Sequence, residues 1–208
     1  MRTLLIATTN RHKLEEIQTI LCDVPFQLCS LRDLGVEMDV EETGQTFAEN
    51  ATIKALAYAQ VTGLLCLADD SGLEVDALGG APGIYSARFL GQGTPYEERF
   101  RFILEKMQGL TGPQRSARFR CSMALAEPTG ECRVVEGTVE GEISDSPRGA
   151  FGFGYDPIFL VPGLEKTTAE LRPEQKNWIS HRGRAAQLAR ILLQDWPDPI
   201  VHRGANDA

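Results

Sequence analysis

The apolar run Leu64-Leu65-Cys66-Leu67-Ala68 is followed at once by Asp69-Asp70-Ser71-Gly72, and a helical pattern leads straight into it. Such a run predicts a short strand in the interior of a sheet that ends in a glycine turn. The preceding helix is predicted to begin at Thr46, which with Glu49 makes a T-x-x-E capping box ahead of Phe47, Ala51, Ala55, Tyr58 and Ala59. The same alternation opens the chain. Residues 3–8 form an apolar, β-favouring run, Thr9-Asn10-Arg11-His12 is polar, and Leu14, Ile17 and Leu21 then recur at helical spacing.

Phe100, Ile103, Leu104 and Met107 predict a third helix after Pro95, and residues 117–126 and 133–143 read as two longer strands. The glycine-rich residues 149–154 break regular structure. Ser180 is placed to cap a last helix carrying Ala185, Leu188, Ala189 and Leu192 on its apolar face, with Pro197 and Pro199 beyond it and residues 197–208 expected to be a loose tail. Alternating strands and helices in the first half imply an α/β sheet covered by helices, and the paired later strands make part of it antiparallel. The expected fold class is therefore α/β with a mixed sheet. With 208 residues, 42% hydrophobic, and neither repeat nor linker, the chain is expected to form a single domain over residues 1–208.

Composition excludes several functions. A net charge of −8 supplies no global field for nucleic acid, so an anionic ligand has to be met locally. No apolar stretch approaches the roughly 20 residues that span a membrane, and no targeting signal is seen, so a cytoplasmic protein is expected. The five cysteines are odd in number, scattered and free of any C-x-x-C pair, which suggests reduced core residues.

Two adjacent carboxylates, Asp69 and Asp70, repel unless a cation or donors compensate, and Mg²⁺ is commonly held by one or two carboxylates together with substrate phosphates. Taken alone, Asp-Ser-Gly is equally an ordinary Asx-type turn. Glu41-Glu42-Thr43-Gly44 adds a second acidic pair that could complete a cation site, or could be a solvated loop near a helix dipole. Thr8-Thr9-Asn10-Arg11-His12-Lys13 leads from a strand into a helix N-terminus, where free amides and the Lys13 charge favour a phosphate. Alternatively it is a polar connector capped by Asn10, and it lacks the Walker A pattern. Phe153-Gly154-Tyr155-Asp156 sets aromatic rings beside glycines, suited to stacking on a nucleobase or to folding back into the core. Lys176, His181 and Arg182 concentrate donors near the last helix, although most charge runs are solvated faces. Nothing suggests a zinc site or a covalent nucleophile.

In order, the motifs T-T-N-R-H-K, E-E-T-G-x-T-F-x-E-N-A, A-D-D-S-G-L, G-A-P-G-I-Y-S-A-R, F-G-Y-D-P and S-H-R-G resemble the inosine and xanthosine triphosphate pyrophosphatases, over nearly the whole chain. That resemblance implies an elongated fold with two lobes around a central cleft, usually a homodimer, with Mg²⁺ required. It further implies that Thr8, Thr9, Asn10, Arg11, His12 and Lys13 bind the triphosphate, and that Glu41 and Asp70 hold the metal. Asp70 is implied as the proton acceptor for water. Ser71 is implied to touch the substrate, while Phe153, Gly154, Tyr155, Asp156, Lys176, His181 and Arg182 surround the nucleoside. Lys54 is a further phosphate candidate. Many relatives have glycine where this chain has Thr9, which would be strained if the position needs a positive φ.

The implied reaction is hydrolysis of a non-standard purine triphosphate to its monophosphate and pyrophosphate. A 6-oxo purine offers an acceptor to donors at Lys176, His181 or Arg182, where adenine offers a donor. Rival readings are a pyrophosphatase for modified pyrimidine triphosphates and a non-catalytic nucleotide sensor.

Overall fold

The computed structural model describes residues 1–197, so most of the expected tail lies outside the described residues. Seven strands form one mixed sheet in the order β2-β1-β3-β4-β5-β6-β7. The strands are β1 (Arg2–Ile6), β2 (Phe26–Ser30), β3 (Leu65–Val75), β4 (Ser116–Ala126), β5 (Cys132–Ile143), β6 (Phe159–Val161) and β7 (Lys166–Thr167). β1 runs parallel to both β2 and β3, and every later pairing is antiparallel. The helices are α1 (Arg11–Ile20), α2 (Phe47–Thr62), α3 (Tyr96–Lys106), α4 (Pro173–Ile179) and α5 (His181–Gln194).

Caps expected from the sequence are present. Thr46 Oγ1 accepts from the Glu49 amide at the start of α2, and Ser180 Oγ accepts from the Gly183 amide at the start of α5. Side-chain alternation in the strands sorts the core into layers. Leu4, Ile6, Leu65, Leu67, Cys121, Met123 and Leu125 pack with residues of α1 and α5 on one face. Leu5, Cys66, Ala68, Ala124 and Ala126 pack with Ala51, Ala55, Tyr58 and Ala59 of α2 on the other. A third cluster, around Leu73, Phe100, Ile103, Phe119, Tyr155 and Phe159, fills the far end of the sheet. Cys29, Cys66 and Cys121 are buried and all five thiols are free, but Cys22 is exposed rather than a core residue.

The expectation that β3 ends at Ala68 in a glycine turn is corrected. β3 continues to Val75, and Asp69, Asp70, Ser71 and Gly72 pair in register with Met123, Ser122, Cys121 and Arg120 of β4. Charged residues survive inside this strand because each carboxylate meets a buried donor, described below. Gly72 serves a close approach rather than a turn: a Cβ there would lie 2.4 Å from both the Gly83 carbonyl oxygen and Ser86 Oγ. β2, β6, β7 and α4 were not anticipated. The strands among them are two to five residues long and carry little periodicity, while α4 is a single short helix opened by Pro173.

Candidate active site

Strand geometry points consecutive side chains to opposite faces, and this separates the two aspartates. Asp69, in phase with Leu65 and Leu67, meets α1 and α5. Its Oδ2 lies 2.9 Å from Lys13 Nζ and 3.6 Å from Arg182 Nε. Burial alone would raise its carboxyl, but Lys13, Arg182 and Lys54 outweigh that and hold it well below the usual carboxylate range. Asp70, in phase with Cys66 and Ala68, meets α2. Its Oδ2 accepts from Asn50 Nδ2 at 3.0 Å and its Oδ1 from the Ser71 amide at 2.9 Å. Burial pushes the Asp70 carboxyl above its ordinary value, with Lys54 and Lys13 opposing and Glu42 reinforcing. The two neighbours thus differ in kind, Asp69 held below the ordinary carboxylate range by its cations and Asp70 raised above it by burial.

Asp70 opens on a solvent-connected cleft with a cavity volume of about 120 Å³. Asn10, Lys13, Glu42, Ser71, Phe153, Gly154, Tyr155, Asp156, Lys176, His181 and Arg182 also line it. The first loop is divided. Asn10 and Lys13 face the cleft, Thr8, Thr9 and Arg11 line a neighbouring groove, and His12 lines a third depression beside Phe153 and Lys176. Asn10 is a true helix cap, its Oδ1 accepting from the amides of His12 (3.0 Å) and Lys13 (3.3 Å). With those two amides engaged by Asn10, Lys13 contributes a cation to the cleft lining while its ammonium pairs with Asp69. Among the described residues only Leu90 and Glu165 are non-glycines with positive φ, so Thr9 carries no such strain.

On the acidic loop, Glu41 is exposed and outside the cleft lining, whereas Glu42 lines it and pairs with Lys54. Burial works against the Lys54 ammonium, yet Asp69, Asp70 and Glu42 keep its pKa above the ordinary lysine value. The donors that reach the cleft, Asp70 and Glu42, are hard carboxylate oxygens suited to Mg²⁺ shared with substrate phosphates. Among the described residues no three His, Cys, Asp or Glu side chains converge to hold a metal unaided.

At the other end, Glu16 of α1 bridges Lys176 (2.9 Å) and Arg182 (2.7 Å), and Arg182 Nη2 donates to Ser71 Oγ at 2.8 Å. Phe153 lies under both cations, with Lys176 Nζ 4.6 Å and Arg182 Cζ 5.3 Å from its ring centre, and stacks with His12 at 5.2 Å. Asp156 Oδ2 accepts from the Phe153 amide and from Lys176. Gly152 has φ +73°, and a Cβ there would collide with Asp156 Oδ2, so the loop depends on a glycine. Tyr155 is buried and its hydroxyl donates to the Ser86 carbonyl at 3.0 Å, so this aromatic does fold back into the core. His181 is buried and stacked 4.6 Å from Phe119. Burial, reinforced by Arg182 and Lys176, holds its imidazole far below the ordinary histidine pKa and therefore neutral, and its Nδ1 has no partner.

Glu42 belonged to the acidic pair read from the sequence, whereas Glu16, Asn50 and Ser86 were not singled out there. Two left a signal. Glu16 sits three residues after Lys13, hence on the same helical face, and Asn50 is a polar residue within the apolar pattern of α2.

A helix-covered mixed sheet that gathers a buried carboxylate, buried cations and an aromatic loop in one cleft is the architecture of a nucleotide-processing α/β protein. A profile of the Ham1 family matches residues 4–191, and the chain belongs to that family. It is 46% identical over 193 residues to a dITP/XTP pyrophosphatase of Bacillus licheniformis, covering 93% of this chain and 98% of the relative. A dITP/XTP pyrophosphatase of an Exiguobacterium species is 50% identical, with 88% and 92% covered. The solved HAM1 protein of Coxiella burnetii superposes with a TM-score of 0.86 at 44% identity, covering 94% of this chain and all of that one.

Proposed function

We propose that this chain is a metal-dependent nucleoside-triphosphate pyrophosphatase that hydrolyses non-standard purine nucleotides, ITP, dITP and XTP, to their monophosphates and pyrophosphate. The observation that carries the reading is Asp70, a buried carboxylate raised above its ordinary value, which lines one cleft with Lys13 and with Glu42, the partner of Lys54. Asp70 and an acidic residue of the preceding loop would hold Mg²⁺; Glu42 lines the cleft, with Glu41 the alternative from motif resemblance. Bound there, Mg²⁺ supplies charge neutralisation at the phosphate oxygens. Asp70 accepts the proton of the water that attacks the α-phosphorus, Lys13 draws the phosphates in, and pyrophosphate leaves.

The base occupies the end formed by Phe153, Lys176, His181 and Arg182. Glu16 and Asp156 already engage Lys176 and Arg182, which leaves His181 Nδ1 and Arg182 Nε as the buried side-chain atoms of this end free to meet a ligand. Supporting the two-lobed reading, the buried apolar residues fall into separate clusters. We also infer a homodimer, from the resemblance, and action in the cytoplasm, which five free thiols suit. No helix of the described residues is long and apolar enough to cross a membrane.

A substrate panel tests the reading. Pyrophosphate release from ITP and XTP should far exceed that from ATP and GTP, and preference for a modified pyrimidine triphosphate would favour the rival enzyme. The sensor reading gains nothing from Asp70, because binding alone requires no proton acceptor.

A further inference from the structure

One wall of the cleft rests on Tyr96 and Arg99, which neither the motifs nor the proposed chemistry uses. Tyr96, the first residue of α3, is half-buried and lines the cleft beside Gly154, Tyr155 and Ser86. Its ring is fixed on several sides. The Arg99 guanidinium lies 4.7 Å from its centre, Tyr155 meets it edge-on at 5.3 Å, and Phe100 lies at 6.2 Å. Arg99 is itself unusual. It is 3% exposed and pairs with no carboxylate among the described residues, its Nε has no partner, and its Nη1 donates to the Ser86 carbonyl at 3.0 Å. A buried cation without a counterion is costly. What it secures here is the wall: Arg99 ties the Ser86 carbonyl to the Tyr96 ring.

The place of that wall in the cleft determines what it faces. On one side the Tyr96 ring borders Gly154, next to Phe153 at the base end; a Cβ on Gly154 would stand 3.8 Å from the Tyr96 hydroxyl. On the other, Ser86 accepts from the Leu73 amide at 2.9 Å and packs against Gly72, two residues beyond Asp70 at the phosphate end. A nucleotide joins base to phosphate through its sugar, so the sugar passes this wall. The Tyr96 hydroxyl makes no hydrogen bond among the described residues, and the cleft it lines also has the apolar side chains of Ile84, Ala87 and Phe119 in its wall.

We propose that Tyr96 is a further specificity-determining residue whose hydroxyl hydrogen-bonds the sugar of the bound nucleotide, and that Arg99 positions it. The proposal rests on the pyrophosphatase reading. Its test measures kcat/KM of the wild type and Tyr96→Phe on ITP, dITP and 2′,3′-dideoxyinosine triphosphate. Tyr96→Phe should lose about tenfold on whichever sugars carry the contacted hydroxyl and nothing on the dideoxy substrate, the size expected for one neutral hydrogen bond in a cleft. Arg99→Met, with folding checked by thermal melting, should reproduce that sugar-dependent loss, and Arg99→Lys should restore part of it. Equal loss, or none, on all three sugars in Tyr96→Phe overturns the proposal while leaving the pyrophosphatase reading intact. A uniform loss in Arg99→Met overturns the positioning role. A wild type inactive on all three inosine nucleotides overturns both readings.

Discussion

Lys13 Nζ stands 2.9 Å from Asp69 Oδ2, joining the first turn of α1 to the middle of β3. Arg182 of α5 approaches the same oxygen at 3.6 Å, so one buried carboxylate anchors two cations contributed by opposite ends of the chain. The pair explains why two successive aspartates are tolerated in one strand: the pleat sends Asp69 to these cations and Asp70 to Asn50 and the cleft.

Removing the Asp69 charge should therefore damage stability and substrate binding together. Asp69→Asn keeps the shape but leaves Lys13 and Arg182 under-compensated in a buried site, a loss on the order of 3 kcal/mol. Urea unfolding should report that loss, and KM for ITP should rise as Lys13 loses its anchor. Unchanged stability would mean that the pair contributes little.

Gly72 tests the packing of β3 against the segment around Ser86. A Cβ at this position would sit 2.4 Å from the Gly83 carbonyl oxygen, and a backbone atom cannot step aside cheaply. Gly72→Ala should cost about 1–3 kcal/mol, typical of overpacking, and should lower turnover by displacing the cleft wall. A melting temperature equal to the wild type would contradict the close approach.

Glu16 carries a pH signature. Burial would raise its carboxyl, but Arg182 and Lys176 outweigh burial and set its folded pKa below the ordinary glutamate value. A depressed carboxylate stabilises the fold at pH above its unfolded pKa, and that contribution fades as pH falls through the folded one. Glu16→Gln should therefore melt below the wild type at neutral pH, with the two curves converging in acid. A gap independent of pH would show that Glu16 acts through packing alone.

The sequence made some parts of this structure legible and hid others for identifiable physical reasons. Capped helices with a continuous apolar face, α2 and α5, were read to within a residue of their starts, because Thr46 and Ser180 act locally. The long pair β4 and β5 was equally plain from its extent. The end of β3 was misjudged because Asp-Asp-Ser-Gly has turn chemistry, and only partners distant in the chain, Lys13, Asn50 and Arg182, make those carboxylates acceptable in a strand. Glu16 escaped notice for a similar reason: a glutamate on a helix beside basic residues reads as solvated until Lys176 and Arg182 arrive from the other end of the chain. In the aromatic loop, Phe153 and Tyr155 are indistinguishable by type, yet one faces the cleft and the other holds Ser86.

The central claim is that Asp70 is the proton acceptor of a pyrophosphatase site, and Asp70→Asn tests it most directly. Pyrophosphate release from ITP with Mg²⁺ should fall by at least about a thousandfold, at the upper part of what a positioned acid–base group contributes, with the melting temperature close to the wild type. Near-normal turnover in a folded Asp70→Asn protein would contradict the account.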